Sequence, residues 1–234
     1  ANLEQAQQLL VYRGLHLINQ RQWTRAIATL SRGTSESGQL LDPTVVSRLN
    51  QETLAFGGSG DSGAGAGELQ SSLADDAALQ SVLLEAQRYW TLSVAYLASG
   101  DDGLADAEQA IANAGNVAAG PIGRIEPARI GWLHSAIERQ QGRIHARRGD
   151  VRSALASFDC AVAALRGSVP GNSGACVVAP ISREADTSAT SALLLETQLE
   201  RASIESRDPA LRENALADYR AVVGGIANLE GVGP

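Results

Sequence analysis

Apolar positions along the chain recur at intervals of three and four, in blocks separated by glycine, proline and serine. That spacing sets the apolar side chains on one stripe of a helix, whereas the strict alternation that builds a strand is scarce. The clearest block runs from about 128 to 148, where Ile130, Leu133, Ile137 and Ile144 share a face. A second follows at once, with Val151, Leu155, Phe158, Val162 and Leu165 as its stripe. Gly149-Asp150 stands between them, a glycine suited to end one helix and an aspartate suited to cap the next. Residues 128 to 166 therefore predict two antiparallel helices joined by a tight turn.

The same arrangement recurs. Residues 3 to 19 pair with 24 to 32, 76 to 98 pair with 103 to 114 around Gly100-Asp101, and 184 to 206 pair with 210 to 228. Asp42-Pro43 and Asp208-Pro209 each set a capping acid before a first-turn proline, and Glu126-Pro127 is a weaker form of that signal. They predict an extra helix over 43 to 56 and helix starts near 127 and 209. The stretch from Gly57 to Gly67 reads as a flexible linker, and 115 to 125 and 167 to 182 read as Gly/Pro-rich loops. The expected organisation is an N-terminal pair plus extra helix in 1–56, a linker in 57–67 and further pairs in 68–234, together one continuous helical domain.

Composition changes this picture in three ways. There are 39 alanines but only nine aromatic residues, so the core must come from close backbone approach rather than from large rings. All 19 basic residues are arginine, against 26 acidic ones, and the net charge of −7 argues against nucleic acid. Without lysine, the glycine-rich linker is no phosphate-cradling loop, and no apolar run reaches the ~20 residues of a membrane span. Methionine is absent even from position 1, as expected of a processed or trimmed piece. The compartment stays open between the cytoplasm and, after removal of a signal peptide, an extracytoplasmic site. Cys160 lies in a predicted helix and Cys176 in the loop after it; a disulfide between them in an oxidising compartment and two free thiols both fit.

Position by position, the pairs resemble tetratricopeptide repeats, whose helix–turn–helix unit is 34 residues long. The best match is 135 to 168, with Gly142 at the small position of the first helix, Gly149-Asp150 at the turn, and Ala154, Phe158 and Ala161 at the small, aromatic and small positions of the second. Residues 7 to 40 match through Gly14, Trp23, Ala26 and Leu30. Residues 86 to 119 match through Leu92, Tyr96, Gly100, Ala105 and Ala112, with Gln109 in the aromatic position, and 196 to 229 match through Ala215 and Tyr219. The anchors Gly14, Ser93, Gly142 and Ser203 are 79, 49 and 61 residues apart, so the array is interrupted. The resemblance implies an all-α, right-handed superhelix of irregular antiparallel helical pairs that binds a protein or peptide without catalysis of its own. A second, finer resemblance rests on Ala217-Asp218-Tyr219-Arg220-Ala221-Val222-Val223 and the glycines after it. It is to the helical region that precedes the caspase-like peptidase domain of bacterial CHAT-domain proteins, and it implies a regulatory or recognition module of a larger enzyme. That domain's catalytic His/Cys pair is not matched here. A small-ligand site inside a closed helical bundle is the third alternative.

Candidate chemistry is sparse, and no cofactor is expected. His134 and Glu138 sit four residues apart with no third ligand in sight, so no metal site is expected and a helical contact explains them. Asp75-Asp76 and Asp101-Asp102 fall at expected helix starts, where they complement the helix dipole. One group stands out: Arg139, Arg143 and Arg147 form a stripe of like charges that needs acidic neighbours or an anionic ligand. Gln87, Trp90 and Val94 occupy the equivalent places of the preceding unit. Together the six predict a groove with an aromatic platform beside guanidinium forks, suited to an acidic peptide or a chain-terminal carboxylate, unless carboxylates such as Glu85 pair with the arginines instead.

Overall fold

The computed structural model describes residues 3–40, 64–120, 127–166, 176 and 187–230, and every regular element among them is helical. The helices are α1 (Leu3–Asn19), α2 (Trp23–Leu40), α3 (Ala64–Ser99), α4 (Leu104–Ala118), α5 (Pro127–Arg147), α6 (Val151–Leu165), α7 (Thr187–Glu205) and α8 (Arg212–Glu230). Short 3-10 turns, Asp101–Gly103 and Pro209–Leu211, precede α4 and α8. Consecutive helices pack as pairs, α1 on α2, α3 on α4, α5 on α6 and α7 on α8. The pairs then follow one another in chain order: α1 and α2 rest on α3, α3 and α4 on α5, and α6 on α7. Among the described residues no helix is long and apolar enough to cross a membrane.

The turns follow the local chemistry. Gly149 adopts φ 78°, a left-handed conformation that a side chain would strain, and Asp150 then caps α6 by accepting from the Ser153 N–H at 3.0 Å. Asp208 does the same ahead of Pro209, accepting from the Ala210 N–H at 2.9 Å. Leu133, Ile137, Ile144, Phe158, Val162 and Leu165 are buried as their spacing requires, but Val151, at the first position of α6, is exposed.

Small residues set the helix spacing. A Cβ on Gly142 would stand 2.9 Å from the Phe158 ring, and one on Gly14 would stand 2.5 Å from Leu30, so both helix pairs close over a glycine. Ala26, Ala154 and Ala215 are buried in the second helices of their pairs. The pair α3/α4 departs from the expected register: Ala105, Gln109 and Ala112 are exposed, and the buried positions are Ala107, Ala110, Ile111, Ala114 and Ala118. The 3-10 turn Asp101–Gly103 adds length before α4 begins and carries its buried face two residues further along.

Several boundaries also differ from expectation. α3 starts at Ala64, so 64–67 of the expected linker are helical and Asp75-Asp76 lie in a helix interior rather than at its start. α4 runs to Ala118, through residues expected to be loop, and α2 runs to Leu40. The expected helix at 43 to 56 and the remainder of the linker lie outside the described residues. Cys160, buried on α6, is joined by a disulfide to Cys176 in the segment that follows, with a Cα–Cα distance of 5.5 Å.

Candidate binding site

The arginine stripe of α5 faces α7, and α7 answers it with carboxylates four residues apart. Arg139 meets Glu196 at 2.8 Å and Glu200 at 2.5 Å, while Arg143 grips both oxygens of Glu200 at 2.7 and 2.5 Å. Burial alone would push the Glu200 carboxyl up, but the hydrogen bonds and charges of Arg143 and Arg139 outweigh it and hold the group below the ordinary carboxylate range. Behind this cluster runs a buried polar chain. Gln140 donates to Ser93 Oγ at 3.3 Å, and Ser93 donates to the Ala107 carbonyl at 2.8 Å, so α5, α3 and α4 are tied to one another.

Beside the cluster lies an open cleft of about 510 Å³ where the C-terminal parts of α3, α5 and α7 meet the middle of α6. Leu97, Ala146, Phe158 and Ile204 form its apolar floor, and Arg143, Arg147, Arg207, Glu200 and Ser203 supply its polar rim. Arg147 reaches Asp101 at 3.2 Å through a pair that is largely solvent-exposed, and Arg207 makes no ion pair among the described residues. The lining thus carries three guanidiniums against one carboxylate, and that carboxylate is already engaged by two arginines.

Of the six residues expected to share a groove, the structure brings only Arg143 and Arg147 to the cleft. Arg139 is 9% exposed and lies beneath it, locked to Glu196 and Glu200. Trp90 packs against the core around Ala107, Ile111 and Leu133 instead of forming a platform, and Gln87 and Val94 are half-buried outside the lining. Glu85 pairs with Arg88, not with the stripe. Glu200 and Ile204 were legible in principle, because the places of Arg139 and Arg143 in the 135–168 unit fall on them in the 196–229 unit, whereas the place of Arg147 falls on Asp208 and not on Arg207.

Among the described residues no cluster of three or more His, Cys, Asp or Glu is placed to hold an ion. Burial pushes His134 below its ordinary value and raises the Glu138 carboxyl to about 7. No protein-family model, no curated protein and no solved structure matches this chain.

Proposed function

We propose that the chain is a non-catalytic binding scaffold, a right-handed superhelix of tetratricopeptide-like helical pairs whose recognition site is the cleft between α5 and α7. The observation that carries this reading is the cleft itself, an open site with an apolar floor and a charged rim, framed by the first helices of two successive pairs. The repeated contact across the pairs supports the register: Gly14 closes on Leu30 and Gly142 on Phe158, each at a separation of sixteen residues. The rim favours binding over catalysis. Its guanidiniums do not exchange protons near neutrality, its one carboxylate is held ionised, and Ser203 has no base hydrogen-bonded to it among the described residues.

The test is selection of short displayed random peptides on the wild-type chain and on Ser203→Trp. Ser203 is exposed at the rim, so the indole fills the cleft without entering the core. The scaffold reading expects enriched peptides that lose binding to Ser203→Trp. Enrichment of none, or of peptides that bind both proteins equally, would overturn it.

A further inference from the structure

Resting on that reading, we infer that the cleft takes a short acidic peptide segment carrying one large apolar side chain between its carboxylates. Two features of the lining demand the two halves of this ligand. The rim holds Arg143, Arg147 and Arg207 against the single lining carboxylate Glu200, with Asp101 on Arg147 outside the lining, on a chain whose overall charge is −7. That is a local reversal of sign, and it attracts carboxylates where the rest of the surface repels them. The three arginines are also unequal. Arg143 is fixed by both oxygens of Glu200, so it is a positioned fork. Arg147 has one exposed partner, Asp101, which exchanges readily for a ligand carboxylate, and Arg207 has none among the described residues. Arg147 and Arg207 are therefore the groups with guanidinium donors to give.

The floor excludes a purely ionic ligand. Leu97 and Ala146, the half-buried part of the floor above buried Phe158 and Ile204, stay wet under a polyanion such as a nucleic acid, and the net charge of −7 opposes a long one. A purely apolar segment fails for the opposite reason, since it would bury the arginine forks without partners. A peptide whose phenylalanine or leucine seats on Leu97 and Ala146, with aspartate or glutamate to either side for Arg147 and Arg207, satisfies both surfaces.

The experiment is fluorescence polarisation with the labelled peptide Ser-Asp-Glu-Phe-Asp-Glu-Ser, a version with serine in place of phenylalanine, and a version with asparagine and glutamine in place of the acids. The wild-type chain is expected to bind the parent at least tenfold tighter than either control, and binding is expected to weaken as salt rises. The double variant Arg147→Glu/Arg207→Glu is expected to lose tenfold or more. Arg152→Glu/Arg166→Glu, which changes net charge equally at exposed positions outside the cleft, is expected to bind as wild type does. All four arginines are exposed, so both variants are expected to fold, with thermal melts like that of wild type. Equal binding of the three peptides, or unchanged binding by Arg147→Glu/Arg207→Glu, overturns the inference. If displayed-peptide selection yields cleft-dependent ligands that are neutral or basic, the ligand class falls and the scaffold stands; if it yields none, both fall.

Discussion

Replacing Glu138 by glutamine should stabilise the chain at pH 8 and do little at pH 5. Burial on α5 raises the folded-state carboxyl to about 7 from an ordinary 4.5, and no hydrogen bond or ion pair among the described residues offsets it. Between those two values the folded chain holds a proton that the unfolded chain has released, so stability falls as pH rises from about 4.5 and the loss is complete above about 7. At 1.36 kcal/mol per unit, ionised Glu138 costs about 3 kcal/mol at pH 8. The amide of Glu138→Gln carries no charge and keeps the shape, so most of that cost disappears. For a chain of this size the gain corresponds to roughly 6–12 °C in melting temperature. His134 contributes with the opposite sign: burial lowers its folded value, so stability falls as pH drops through about 6.5. That contribution is common to both proteins and cancels in their difference. Urea unfolding of wild type and Glu138→Gln at pH 5 and pH 8 checks the argument. A difference that is the same at both pH values, or a glutamine variant less stable than wild type at pH 8, would refute it.

Three further outcomes follow from the packing. Arg88 is 1% exposed, donates twice to Glu85 and once to the Leu30 carbonyl on α2, and stands over the Tyr89 ring. Arg88→Met strands the buried Glu85 carboxylate and should cost about 3–5 kcal/mol in urea unfolding, with Arg88→Met/Glu85→Leu recovering most of it. Gly142→Ala drives a methyl into the buried Phe158 ring and should destabilise by about 1–2 kcal/mol despite its better helix propensity. Gly115→Ala, with open space around it on α4, should stabilise by about 0.5–1 kcal/mol; matched thermal melts that give both the same sign would contradict the contact. Cys160→Ala/Cys176→Ala opens a disulfide that spans 16 residues and should lose about 3 kcal/mol, as should reduction of the wild type, read by denaturant midpoint.

The helices were legible because their signals are local. A proline after an acid, a glycine before a capping aspartate and a three-four apolar rhythm each act within one turn of chain, and α5, α6 and the start before α8 came out where those signals lie. What failed depended on geometry beyond one turn. The two-residue slip in α4 came from a 3-10 turn that no single residue announces, and Gly65, Gly67 and Gly115 read as loop although they lie within helices. At the site, the arginine stripe on α5 was visible, but which pair lay beside it was not. The preceding unit supplied Trp90, Gln87 and Val94, whereas the cleft is completed by Glu200, Ser203, Ile204 and Arg207 of the following one.

The arginine-only composition acquires a structural meaning that the charge balance did not convey. A core in which alanine is the commonest residue leaves few knobs to fix one helix pair against the next. The boundaries are instead crossed by guanidinium forks: Arg88 ties α3 to α2, Arg139 and Arg143 tie α5 to α7, and Arg201 on α7 ties Asp159 on α6 to Asp218 on α8. Arg201 holds Asp218 through Nε at 2.6 Å and NH2 at 2.9 Å while NH1 reaches Asp159 at 2.5 Å, three hydrogen bonds to two carboxylates from one planar group. A lysine keeps the charge but presents a single ammonium, which meets one aspartate at the expense of the other. Arg201→Lys should therefore cost about 1–3 kcal/mol, the worth of a lost charged hydrogen bond. Arg147→Lys, at an exposed pair, should stay within about 0.5 kcal/mol of wild type. Equal effects of the two substitutions in urea unfolding would show that charge alone suffices, and the fork would lose its role in holding the pairs in register.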